Sequence, residues 1–466
     1  MSEYSKVTPE IVEQIKAVVA PNRVYTGADI NEDFSHDEMS IYGKAMPELV
    51  VDAVSTEEIA ATMKIAYDNN IPVTARGAGT GLVGACVPIA GGIVINTTKM
   101  NKILEYDLNN FVVKVQCGVL LNDLAEDCVS KGLMYPPDPG EKFATLGGNV
   151  STNAGGMRAC KYGATRDYVR AMEVVLPTGE VTRFGSTVSK TSSGYSLLNL
   201  MIGSEGTLAV VLEATLKLYP RLEYTGALVC SFNTTEDAVK SVGEVQKAGI
   251  IPLAVEYMDR AISVGTAEHI ERTWPMKDEG KVDLLYLVEE ATEDALYETA
   301  GTIAEICENN GAVGSVIAED SKQQRNLLDI RSAIYEVYKP VFVDSLDTAV
   351  PVANIGDLLK EFDAIAEKYG TTTPRFGHVA DGNFHNFILM VDGKVPEWAD
   401  DMRRDIYKAA IKYGGTITAE HGTGKTRKPY MNLQYTPHVL GIMKSIKKAF
   451  DPNNILNPGV IIDLDD

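Results

Sequence analysis

The sequence predicts an α+β protein of more than one domain, and three observations carry that prediction. The chain has 466 residues, more than one ordinary hydrophobic core accommodates. Glycine is concentrated in three blocks of the first half, at 77–92, 147–156 and 203–206. From about residue 225 long helical segments alternate with strands, the texture of a separate α+β domain.

The totals bound the class. A hydrophobic content of 45% and a charged content of 23% are those of a soluble globular protein. The formal net charge of −21 excludes general nucleic-acid binding, which needs basic patches. It is compatible with docking on a basic protein partner, but acidic solubility alone accounts for it. No stretch approaches the roughly 20 apolar residues of a membrane span. The opening "TPEIVEQIKAVVA" reads as an amphipathic helix with Thr8 as N-cap and Pro9 at its first position, not as a signal peptide. A cytoplasmic protein is expected. The six cysteines contain no CxxC pair, so reduced thiols are expected and an iron–sulfur cluster or thiolate zinc site is not.

Residues 45–100 read as a βαβ-type unit, with strands at Leu49–Val54, Ile71–Ala75 and Ile93–Asn96 and a helix at Thr56–Tyr67. Residues 103–222 are mostly strand-like. Helices are expected at Thr235–Ala248, Ala291–Glu308, Gln323–Tyr338, Ile355–Lys368 and Glu397–Tyr413. The last fifty residues return to glycine-rich loop chemistry and end on a helix and "DPNNILNPG".

"RGAGTGLVGACVP", from Arg76, contains Gly79, Gly81 and Gly84 in GxGxxG spacing after a strand. A nicotinamide Rossmann site needs a helix directly after the loop and an acid about 20 residues on. "ACVPIAGGIVIN" carries Pro88 and Gly91-Gly92 and leads into a strand instead. The Rossmann reading is therefore rejected. The loop still suits an anion, because glycine lets successive N–H groups close around a pyrophosphate without Cβ clashes. "YPPDPGEKFATLGGNVSTNAGGMRACKYGATRDYV" and "IGSEGTLAVV" add glycines and small polar groups suited to a large, flat, polar ligand.

Two of the six histidines lie in "GHVADGNFHNF". A hairpin turning at Asp381-Gly382 sets His378 directly opposite His385, with Cβ atoms roughly 5 Å apart. With Glu420 and His421 of "TAEHGTG" they make a two-histidine, one-carboxylate set plus a spare imidazole, suited to Zn²⁺, Mn²⁺ or Fe²⁺. The alternative is a solvated hairpin and an unrelated Glu-His. Arg331 and Tyr335 lie four apart on one helix face. Arg331 can pair bidentately with a carboxylate, or be a surface arginine.

The three glycine blocks, in this order, resemble the FAD-binding domain of the vanillyl-alcohol oxidase/PCMH flavoprotein superfamily. The resemblance extends over nearly the whole chain and implies an N-terminal helical segment at 1–43, a PCMH-type FAD-binding domain of two α+β subdomains at 44–222, a substrate (cap) domain of the FAD-linked oxidase type at 223–415, and a C-terminal segment at 416–466 that completes the active site. It implies FAD contacts from Arg76, Gly77, Ala78, Gly79, Thr80, Gly81, Leu82, Pro137, Asp138, Thr145, Gly148, Asn149, Thr152, Asn153, Gly155, Gly156, Gly163, Glu205, Gly206, Thr207 and Asn457. Some members attach the flavin through a histidine of the first loop; this loop has none, so non-covalent FAD is expected.

"FGHVADGNFH" and "AEHG" resemble the D-2-hydroxyacid dehydrogenase branch of that superfamily, which includes glycolate oxidase catalytic subunits and D-lactate dehydrogenases. The branch implies a divalent metal on His378, His385 and Glu420, His421 as the base, and Arg331, with Tyr335 beside it, at the substrate carboxylate. Two departures stand out from the hydroxyglutarate enzymes. Ser345 stands where they carry lysine, and Phe387 where they carry asparagine. Both remove polar contacts to a long diacid and favour a small substrate, D-lactate and then glycolate. Reduced flavin then needs an electron acceptor. The resemblance points to an electron-transferring flavoprotein, as in electron-bifurcating lactate dehydrogenase complexes. An oxidase using O₂, a D-2-hydroxyglutarate enzyme, a non-catalytic FAD-binding subunit and a homo-oligomer stay open.

Overall fold

The structure, a computed structural model, describes residues 4–39, 43–318 and 320–464. It divides into two compact units. The first comprises Met1–Gly155, Ala164–Arg221 and Glu420–Asp466, the second Gly156–Gly163 and Leu222–Ala419.

In the first unit α1 (Pro9–Val18) begins where the sequence signals it: Thr8 accepts from the Ile11 N–H and Pro9 occupies the first turn. Strands β1 (Val24–Thr26), β2 (Leu49–Asp52), β3 (Val73–Arg76) and β4 (Ile93–Asn96) form a sheet in the order β1-β2-β4-β3. β4 is parallel to both β2 and β3, and α2 (Thr56–Asp68) makes the crossover from β2 to β3. Every residue of β2 and β4 is buried, as expected of parallel strands covered on both faces. No helix follows the glycine loop after β3; residues 77–92 reach β4 as irregular chain, which is why a GxGxxG match is not a Rossmann turn here. A second, antiparallel sheet orders β5 (Ile103–Asp107), β6 (Val112–Gln116), β7 (Val169–Val175), β8 (Val181–Gly185) and β9 (Val210–Lys217) as β5-β6-β9-β7-β8. Helices also lie within the stretch expected to be mostly strand, the longest being α3 (Leu121–Val129) and α4 (Leu146–Thr152).

The second unit is built on a seven-stranded antiparallel sheet. Its strands are β10 (Tyr224–Phe232), β11 (Ala254–Asp259), β12 (Val282–Glu290), β13 (Ala312–Ile317), β14 (Phe342–Ala349), β15 (Arg375–His378) and β16 (Asn383–Leu389), in the order β13-β10-β12-β11-β15-β16-β14. Helices α5 (Thr235–Lys247), α6 (Arg260–His269), α7 (Glu293–Asn309), α8 (Ser321–Tyr338), α9 (Ile355–Lys368) and α10 (Ala399–Lys412) complete it. Strand alternation puts Glu256, Phe376, His378, His385, Asp347 and Phe387 on one face. α6 and α8 reach that face through Arg260 and Arg331. α7 sits on the other, with Cys307 3.6 Å from the Tyr286 hydroxyl.

One expectation is corrected. The chain does not turn in two residues at Asp381-Gly382. The observed register pairs Phe376 with His385 and Arg375 with Asn386, which sets His378 opposite Asn383. Val379 is still in the ladder, donating to the Val255 carbonyl at 3.0 Å, so the strand cannot yet reverse. Val379 to Gly382 form the connection, and Asp381 within it accepts from the Asn383 N–H. Because the slip is two residues, the side-chain period preserves the face. The histidines become diagonal rather than direct neighbours, their rings edge-to-face with centroids 5.4 Å apart.

All six cysteines are free thiols. Among the described residues no helix is long and apolar enough to cross a membrane.

Candidate active site

The first unit carries a cleft lined by Arg76 to Leu82, Thr145, Gly148, Asn149, Thr152, Gly155, Glu205 and Gly206. Its walls need glycine. A Cβ on Gly77 would lie 2.2 Å from the Thr145 hydroxyl, and one on Gly79, whose φ is +81°, would lie 2.1 Å from the Arg76 guanidinium. Thr145 caps α4, accepting from the Gly148 N–H at 3.3 Å. Arg76 supports the loop from beneath: Nη1 donates to the His36 carbonyl at 2.7 Å and to Cys86 Sγ at 3.2 Å. Asp37 accepts from the Gly84 N–H at 2.6 Å. A backbone cradle of this kind fits a polyanionic, planar cofactor.

Glu205 binds the C-terminal segment to this cleft by accepting from the Thr423 and Gly424 N–H groups, each at 2.7 Å. Burial pushes its carboxyl up to about 7 in spite of those two amides. Asn457 bridges the Ala85 and Glu205 carbonyls at 2.8 and 2.7 Å. Glu420 and His421 line the same cleft. Gly155 is what lets Glu420 lie there, since a Cβ on it would approach Glu420 Oε2 to 2.6 Å.

Several other expected residues are not among those lining this cleft. Thr207 bonds Ser204 and Lys447, and Asn457 holds the carbonyls of two lining residues, Ala85 and Glu205. Asn153 is left-handed at the end of α4 and accepts from the Arg166 N–H. Pro139 and Glu141, rather than Pro137 and Asp138, line the cleft. Gly156 and Gly163 belong to the second unit.

In the second unit the central residue is one that no motif marked. Glu256, fully buried on β11, accepts from Arg331 Nε at 2.5 Å through one oxygen and bonds His378 Nδ1 at 2.7 Å through the other. Burial alone would push its carboxyl up; Arg331 and His378 more than offset that and hold it at about 2. Arg331 is therefore no surface arginine. It is 8% exposed, its guanidinium lies 4.7 Å from the Phe376 ring centroid, and Nε is the nitrogen engaged.

His385 has a comparable neighbour. Asp347, directly opposite on β14, places Oδ1 3.8 Å from His385 Nδ1. Asp347 is fixed by Asn383 Nδ2 at 2.8 Å, Thr418 Oγ1 at 2.9 Å and the Ala419 N–H at 2.8 Å. Glu420 and His421 are the next two residues in the chain. Two imidazoles close together, each with a carboxylate towards Nδ1, form a donor set that suits a divalent cation through Nε2. Tyr335 packs on Phe342, and Phe387 stacks with both Phe342 and Tyr338.

Residues 47–185 match the FAD binding domain model, and residues 221–461 match the model of the C-terminal domain of FAD linked oxidases. The chain belongs to the FAD-linked oxidase family. It is 46% identical over 472 residues, 98% of each chain, to a D-lactate dehydrogenase of Anaerostipes hadrus. It is 34% identical to the glycolate oxidase subunit GlcD of Bacillus subtilis, covering 97% of both. Its fold is that of p-cresol methylhydroxylase, with a TM-score of 0.79 at 18% identity over 98% of this chain and 97% of that one. The chain is thus an FAD-dependent oxidoreductase of hydroxy acids with a PCMH-type fold, the fold as the glycine blocks imply and the chemistry as the histidine motifs imply. Its signature was legible in those blocks; Glu256 and Asp347 were not, because single carboxylates on strands carry no spacing signal.

Proposed function

We propose that this protein oxidises a small D-2-hydroxy acid, D-lactate in the first place, to the 2-oxo acid, and passes the electrons to a partner electron-transferring flavoprotein. The observation that carries the reading is the pairing on Glu256: one carboxylate holds both a guanidinium fit for a substrate carboxylate and an imidazole fit for a metal. The names of the relatives supply the substrate class and its D configuration.

In this reading FAD is bound non-covalently along the glycine cleft, and His378, His385 and Glu420 hold a divalent cation, zinc, iron or manganese. When bound, the flavin supplies a hydride acceptor and the cation a Lewis acid for the 2-hydroxy carboxylate. The terminal nitrogens of Arg331 receive the substrate carboxylate as a bidentate pair. His421, lining the flavin cleft, takes the hydroxyl proton; imidazole is suited to this because it titrates near neutrality. Phe387 and its aromatic neighbours limit the length of the substrate side chain.

The test is anaerobic bleaching of the flavin by D-lactate, L-lactate, glycolate and D-2-hydroxyglutarate, repeated after chelation and after metal is returned. Fast bleaching by D-lactate, lost on chelation and restored by metal, supports the substrate and the metal together. Bleaching by hydroxyglutarate alone overturns the substrate, and bleaching indifferent to thorough metal removal overturns the metal. Rapid reoxidation in air, or no flavoprotein in a native pull-down, overturns the partner.

A further inference from the structure

We infer that Glu256 is the positioning residue of this site, setting at once the tautomer of the His378 ligand and the direction of the Arg331 fork. The inference rests on the roles proposed above for His378 and Arg331.

Glu256 stands directly opposite His378 across the β11–β15 pair and is fully buried. A buried carboxylate persists only where both oxygens are satisfied by strong donors. Here each oxygen has one: Arg331 Nε on Oε2 at 2.5 Å, His378 Nδ1 on Oε1 at 2.7 Å. Each contact has a directional consequence. A carboxylate at Nδ1 keeps the proton on that nitrogen, so the lone pair of the neutral ring is at Nε2, and the imidazole becomes a better donor to a cation. Engagement through Nε leaves the two terminal nitrogens as the end of the fork, with no hydrogen-bond partner among the described residues. The Phe376 face, 4.7 Å away, holds the guanidinium plane. Metal affinity and substrate affinity therefore depend on one side chain that touches neither ligand.

A purely structural ion pair makes a different prediction, and the substitution Glu256→Gln separates the two. A glutamine side chain keeps the shape but has one oxygen, so its amide N–H₂ must face a donor on one side. The experiment is titration of the FAD-loaded, chelator-stripped protein with Mn²⁺ by calorimetry, alongside KM and kcat for D-lactate. Glu256→Gln is expected to weaken Mn²⁺ binding by about 10- to 100-fold, the usual cost of losing such a partner. It is expected to raise the KM for D-lactate several-fold more than it lowers kcat. Glu256→Asp keeps the charge but is too short to span both partners. It should lose Mn²⁺ affinity in the same direction, and it carries the test if the glutamine variant does not fold. Unchanged Mn²⁺ affinity and KM in a variant with a lowered melting temperature would overturn the role of Glu256. His378→Ala separates the two levels. If it abolishes Mn²⁺ binding while both Glu256 variants bind normally, only Glu256 is wrong. If the wild-type protein takes up no Mn²⁺, or His378→Ala leaves its uptake intact, the ligand assignment fails and this inference falls with it.

Discussion

Ser345 and Phe387 stand directly opposite each other across the β14–β16 pair. Both are buried, at 4% and 0% exposure. Phe387 lies parallel to Phe342 at 4.8 Å and Tyr338 at 5.5 Å, and it meets Phe376, whose ring carries Arg331. Phe387→Ala is expected to cost about 3–5 kcal/mol of stability, read as a lowered melting temperature. The opened space is apolar. The kcat/KM of D-2-hydroxycaproate relative to D-lactate should rise roughly tenfold, within the range one hydrophobic pocket controls. D-2-hydroxyglutarate should stay poor because Ser345 offers no charge. An unchanged ratio would make the stack a core feature only.

Glu205 makes stability depend on pH. Burial raises its carboxyl to about 7 from an ordinary 4.5. Between those values the folded apoprotein binds more protons than the unfolded chain, so stability falls as pH rises through this window and levels off above it. The expected span is about 3 kcal/mol. Glu205→Gln removes this dependence while losing one of the two amide contacts to Thr423 and Gly424. In urea titrations of the apoproteins its deficit should be larger at pH 5 than at pH 8. A constant deficit would place the carboxyl near its ordinary value.

What was legible in the chain divides by the range of the interactions. Thr8, Ser55 and Thr234 set helix starts through bonds within one turn, so those helices can be read locally. The glycine blocks announce a ligand because glycine density is costly without one. Glu256 is 75 residues from Arg331 and 122 from His378, and only the order of strands in the sheet and the packing of α8 on it bring them together. The hairpin register escapes a local reading for the same reason. Asp381-Gly382 favours a tight turn locally, but Val379 pairs with Val255 of a strand far upstream, and that contact decides where the chain reverses.

Gly79 combines a left-handed backbone with a close approach to Arg76, so a side chain there is strained. Its φ is +81°, and a Cβ would fall 2.1 Å from Arg76 Nη2. Gly79→Ala must therefore strain the backbone and push Arg76 off the His36 carbonyl and Cys86. Purified protein should retain a small fraction of the wild-type flavin, measured as the ratio of visible to ultraviolet absorbance. Secondary structure by circular dichroism should be kept. Full flavin content would show that the loop does not cradle the cofactor.

Lys447 holds the C-terminal segment in place. Buried at 3% exposure, its Nζ donates to Asp451 Oδ2 at 2.6 Å and to the Thr207 and Leu456 carbonyls at 2.8 Å each. Asp451 in turn accepts from the Ile455 and Leu456 N–H groups. The next residues run along β3, with Val73 donating to Ile455 and Asn457 donating back to Val73, each at 2.7 Å. Lys447→Met leaves Asp451 a buried, uncompensated charge and should cost about 3–5 kcal/mol. Because β3 leads straight into the glycine loop, flavin release on dilution should also quicken. The double variant Lys447→Met/Asp451→Asn should recover part of the loss, since it removes the orphaned charge. If the double variant is less stable than Lys447→Met, the damage lies in lost hydrogen bonds of the segment and not in the stranded carboxylate.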